Sequence, residues 1–210
     1  MMQVMKRRHG ASAQQRRVAL IEATIEVAAA KGMSGVTHRA VTEQAGLPLT
    51  TVGYFFDSIT ELAAEALRSK VGEDVAAMHQ LAAQLQQEQR TPAEMAVAFA
   101  TAASATERTA GLAFVEALLH AARDPEFRAV AVEVLEAGRS AAASATTAAG
   151  IPGGDSEALL ALVHGYLLHS LAAPELVRPD ALLRGIRALM IGGLVEQGRV
   201  ELALAITGRE

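Results

Sequence analysis

Residues 36–62 read VTHRAVTEQAGLPLTTVGYFFDSITEL, and their spacing predicts a short helix, a tight turn and a second short helix. Thr37 suits the N-cap of the first, because its hydroxyl can accept from an amide two or three residues on that would otherwise lack a partner. Ala40, Val41 and Ala45 follow at helical spacing. Gly46 stands where the chain must turn, since glycine reaches positive φ without a Cβ penalty. Pro48 has its φ set for a first helical turn and no amide to be orphaned there.

The second helix is expected from about Leu49 to Phe56 and has two unlike faces. Val52, Phe55 and Phe56 fall together at i, i+3 and i+4, suited to burial. Thr50 and Tyr54 project from the other side, flanked by Thr51 and Gly53. A short helix with an apolar underside and hydroxyls outward fits presentation to a DNA major groove. Taken alone, the stretch fits an αα-hairpin corner in any helical protein equally well.

The longer run LIEATIEVAAAKGMSGVTHRAVTEQAGLPLTTVGYFFDSITEL, residues 20–62, resembles the N-terminal domain of the TetR-like family of bacterial transcription regulators. The resemblance is carried by Gly32 closing an aliphatic helix, Thr37-x-Arg39, Ala45-Gly46-Leu47, the Phe55-Phe56 pair and Leu62. It implies an all-α fold: an N-terminal three-helix helix-turn-helix domain and a C-terminal ligand-binding and dimerisation domain, about nine helices in all. It also implies that Arg39, Thr50, Thr51 and Tyr54 contact DNA, with Thr37 and His38 close to phosphate. Three positions depart from the family pattern. Pro48 stands where Ser is usual, Gly53 where a phosphate-touching Tyr is usual, and Ile59 where Lys is usual; Tyr54 is the neighbour able to replace the tyrosine.

The 210 residues can bury a proper core, and with 51% hydrophobic but only 3% aromatic residues that core must be mainly Ala, Leu and Val. Such a composition favours helices. There is no cysteine, which excludes disulfides and thiolate chemistry. The opening MMQVMKRRHG is basic but leads into no apolar h-region, so it does not read as a signal peptide. Residues 158–173 lack charged side chains, yet fall short of the roughly 20 residues of a membrane span, and His164 and His169 interrupt them. The expectation is a cytoplasmic protein without a membrane partner.

The net charge of −4 hides an asymmetry: residues 1–70 hold nine Lys and Arg against six acids. A basic end on an acidic chain is what a phosphate-binding module joined to a different domain would show. Residues 1–14 read as a flexible basic arm, with Lys6, Arg7 and Arg8 adding salt-sensitive DNA affinity or lying idle. The first helix is expected from Gln15 to Lys31 with Val18, Ile21, Ile25 and Ala28 as its buried stripe. Arg16 and Arg17 would then oppose the helix dipole at its start, which a nearby phosphate would explain. Arg39 and Glu43, four apart, fit either a surface ion pair or a phosphate contact.

Ser58 is placed to cap a long helix that leaves a DNA-binding domain of residues 1–57 and enters a second domain, 58–210. Further helices are expected at about 92–105, 107–123, 125–149, 155–172 and 179–197. No phosphate loop, zincin histidine pair or nucleophile elbow occurs, so no enzyme, metal or cofactor is expected. The family resemblance places a small-molecule pocket among Met78, Met95, Phe99, Phe114, Leu118, His120, Tyr166 and His169. The small residues Ala181, Gly185, Ala188 and Gly192, with Ala161 and Gly165 on the helix before, suit close helix packing; in the family these two helices form a homodimer. The resulting expectation is a repressor released from a palindromic operator on double-stranded DNA by a small hydrophobic ligand. The rivals are an interaction module that no longer binds DNA and a helical enzyme acting on a hydrophobic small molecule.

Overall fold

The computed structural model describes residues 2–207, with side chains from residue 12 onward. Ten α-helices and no strand are found among these residues. The first is α1 (Met2–Lys31), followed by α2 (His38–Ala45), the four-residue α3 (Val52–Phe55) and the long α4 (Ile59–Gln87). Next come α5 (Pro92–Ser104), α6 (Arg108–Ala121), α7 (Pro125–Ala148), α8 (Ser156–Ala172), α9 (Ala181–Glu196) and α10 (Val200–Ile206).

The helix ends follow the local chemistry. Thr37 has extended backbone and accepts from the Ala40 amide at 3.2 Å. Gly46 is left-handed at φ 65°, and the amide of Leu47 reaches back to the Thr42 carbonyl, closing α2. Ser58 Oγ accepts from the Glu61 amide at 3.0 Å, while the Glu61 carboxylate accepts from the Asp57 amide. Thr91 and Glu94 make a reciprocal capping box with Pro92 in the first turn of α5. Asp155 caps α8 through the Ala158 amide at 2.8 Å.

Two expectations about α1 need correction. The helix begins at Met2 rather than Gln15, consistent with a proline-free run of helix-favouring Met, Gln, Lys, Arg and Ala. Arg16 and Arg17 therefore sit in mid-helix, and the dipole gives no reason for a phosphate beside them. The arm residues Lys6, Arg7 and Arg8 have side chains outside the described residues. The buried stripe is also rotated: Leu20, Thr24 and Val27 are the inner positions together with Ile21 and Ala28, whereas Val18 is 40% exposed. Helix α1 packs on both α2 and α6, so a wider arc is covered.

The chain divides into two compact units, Met1–Lys70 with Arg108–Val132, and Val71–Glu107 with Glu133–Glu210. In the first unit α6 packs along α1, and Leu62, Ala66 and Leu67 from the start of α4 are buried. In the second unit, one core draws Leu85, Met95, Phe99, Ile151, Leu182, Ile186, Met190, Leu194 and Ile206 together. Helix α10, not expected from the sequence, belongs to that core through Ala203 and Ile206 and packs on α9 and α5.

Candidate nucleic-acid interface

The second helix of the motif is built in two parts. Residues Leu49–Thr51 form a 3-10 turn that runs directly into α3, with Thr51 and Val52 both right-handed helical. Pro48 is extended at φ −60° and ψ 145°, so it is the cap residue and not the first helical one. Its carbonyl accepts from the Thr51 amide at 2.9 Å. Lacking a hydroxyl, it supplies no side-chain cap.

Burial separates the faces. Val52 is fully buried and Phe56 is 5% exposed, and these two anchor the helix. Thr50 is exposed and Tyr54 is 75% exposed, its ring edge-on to Phe55 at 4.8 Å. Thr51 is half-buried. Gly53 is exposed with open space where a side chain would stand, Tyr54 is the exposed aromatic ring of the helix, and Phe55, expected to be buried, is only half-buried. Leu49, 58% exposed, joins this surface unexpectedly. A wheel drawn at 3.6 residues per turn sets it with Val52 and Phe56, but the leading 3-10 turn changes the phase.

Thr37, His38 and Arg39 lie together at the exposed start of α2. The Thr37 hydroxyl is engaged as the cap. Arg39 donates to Glu43 at 2.7 Å with both side chains largely in water. The bond to Glu43 holds the guanidinium above its ordinary pKa. The cation is thus available to a phosphate only in competition with its own neighbour.

The residues assigned to a ligand pocket are distributed unequally. Met95 and Phe99 are buried in the second unit's core, with Met78 and Tyr166 packed against it. His169 is exposed on α8. Phe114, Leu118 and His120 lie on α6 in the first unit. There His120 Nε2 is 3.3 Å from Asp124 Oδ2 and its ring meets Phe127 edge-on at 5.2 Å. No group of three or more potential metal ligands occurs among the described residues.

The small-residue stripe also resolves into parts. A Cβ on Gly185 would come within 2.9 Å of Leu162 Cδ2, so that glycine serves the contact of α9 with α8 in the same chain. Ala161, Ala188 and Gly192 are exposed; Gly165 is half-buried, and a Cβ added at Gly165 or Gly192 would meet open space. Ala181 is half-buried. Helix α8 buries no residue completely, although its only charged side chain other than histidine is Glu157.

This is a helix-turn-helix head joined to a larger all-helical body. The match to known proteins agrees. Residues 87–193 match the family model described as the tetracycline repressor-like C-terminal domain, and the chain belongs to that family. A transcriptional regulator from Rhodococcus sp. RHA1 superposes with a TM-score of 0.69 at 23% identity, covering 86% of this chain and 96% of the other. A TetR-family member from Streptomyces coelicolor A3 gives 0.66 at 27% identity, covering 83% and 97%. The multidrug binding protein EbrR, solved with imidazole, gives 0.59 at 27% identity, covering 83% and 94%. No curated protein matches the chain. No helix among the described residues is long and apolar enough to cross a membrane.

Proposed function

We propose that the protein is a homodimeric, ligand-responsive DNA-binding regulator, most simply a repressor released from a palindromic operator by a small hydrophobic effector. The observation that carries this is the two-sided helix: Val52 and Phe56 are held in the core while Thr50 and Tyr54 stand in water. Residues 1–57 take the DNA-binding role and 58–210 the effector and dimer roles. Thr50, Thr51 and Tyr54 meet base edges and Arg39 a phosphate, with Thr37 and His38 beside it.

A second copy is supported by the outer face of α8 and α9. Leu168 is 47% and Val195 51% exposed there, beside Ala161, Ala188 and Gly192, which allow close approach. A dimer would set two recognition helices about one DNA turn apart. The effector reading is supported by the apolar core around Met95, Phe99 and Tyr166 and by the likeness to a multidrug binding protein. The effector must bind one spacing of the two heads more tightly than the other to act.

The test is titration of the full chain onto labelled DNA from upstream of its own coding region, across a salt series. The expected result is sequence-specific binding whose log K falls linearly with log salt. An absence of specific binding at every salt concentration would remove the regulator reading in favour of an interaction module. A thermal-shift screen against apolar compounds reads the effector separately.

A further inference from the structure

Arg17 and Arg16 are adjacent in α1, yet only Arg16 is exposed. Arg17 Nη2 donates to Glu65 Oε1 at 2.6 Å, and each of the two side chains retains only about a third of its exposure, 33% and 34%. The same guanidinium lies over the Phe56 ring, 5.3 Å from its centroid. One side chain of α1 therefore touches the last anchor of the recognition helix and the second turn of α4.

The corner it spans is narrow. Phe56 ends α3 with extended backbone at φ −138° and ψ 139°, and two residues later Ser58 caps α4. The seat of the Phe56 ring and the position of the first turns of α4 thus set how α3 leaves the body. Arginine alone combines a flat cation able to lie on a ring with a directional donor to a carboxylate.

We infer that Arg17 is a positioning residue for DNA binding, a clasp from α1 to Phe56 and Glu65, and not a phosphate contact. The inference rests on the DNA-binding reading above. It separates Arg17 from Arg16, which is exposed and has no such engagement among the described residues.

The two roles give opposite outcomes in the salt series. As a clasp, Arg17→Ala and Glu65→Ala each weaken operator binding on the order of tenfold, and the double variant is no weaker than either alone. The slope of log K against log salt stays at the wild-type value in all three. Arg17→Lys, which keeps the charge but loses the flat fork, remains weak. As a phosphate contact, Arg17→Ala would reduce the slope by about one, Arg17→Lys would recover, and Glu65→Ala would leave binding unchanged or tighter; that pattern overturns the clasp. Circular dichroism melts identify any variant that has unfolded, and Arg17→Lys, the mildest change, then carries the decision. A wild-type chain without specific binding overturns the regulator reading and this inference together. A wild type that binds while Arg17→Ala lowers the slope overturns the inference alone.

Discussion

The helix-turn-helix head and the α8–α9 pair solve the same problem in opposite ways. In the head, a few large side chains, Leu20, Val41, Val52, Phe56 and Leu62, are 0 to 5% exposed and anchor the helices, although Leu49 and Val18 stand partly in water. In α8 most residues are apolar, yet none is fully buried. A short helix such as α3 is stable only because its underside is anchored. An apolar helix left half in water has instead an unfilled requirement for cover. One region is complete within the chain; the other is completed by a second copy in the function proposed here.

The comparison breaks hardest at Phe56. Phe56→Ala removes a buried ring and should cost about 3–5 kcal/mol, seen as a lower urea midpoint and lost DNA binding. Association through α8 and α9 should survive in the fraction that remains folded. The converse variant, Ala188→Glu with Gly192→Glu, places two carboxylates on the outward side of α9. It should leave the stability of a single subunit within about 0.5 kcal/mol, as for ordinary surface changes. Sedimentation should nevertheless show monomers, because two unpaired charges in a bundle interface cost several kcal/mol, about 2–5.

Smaller effects sharpen the same contrast. Glu43→Gln frees Arg39 from its partner and removes a negative charge near the proposed phosphate, so operator binding should tighten about two- to fivefold, in the range of a surface ion pair. Unchanged binding would take Arg39 out of the contact set. The smallest effect concerns His164 on α8, whose pKa burial holds below the ordinary value. The unfolded chain then binds the proton first. The stability this contributes is present above about pH 6.5 and is lost as pH falls through the folded value. In His164→Gln, urea midpoints near neutrality and near pH 5 should lie closer together than in wild type.

Much of the head was legible because its signals are local. Thr37, Gly46 and Ser58 act on amides within a few residues, and each does so in the structure. Signals that depend on distant partners were not legible. Arg17 reads as a phosphate ligand until Glu65 and Phe56 come near it. Gly185 reads as part of an intersubunit stripe until Leu162 fills the space before it. The phase of α1 was misjudged because two helices cover it. The exposure of Leu49 has no counterpart in the sequence reading, because a 3-10 turn breaks the 3.6-residue wheel there. Helix α10 carries only seven residues, too few for a period to stand out, and Gly198 before it reads as an end.

The most direct test is a binding comparison of wild type with Thr50→Ala/Tyr54→Ala on operator and scrambled DNA at one salt concentration. Both side chains stand in water, so the fold should be kept, with surface changes worth about 0.5 kcal/mol or less. Loss of the preference for operator over scrambled DNA, with weak non-specific binding retained, is the predicted result. An unchanged preference in the double variant would contradict the assignment of this helix as the reader of DNA sequence.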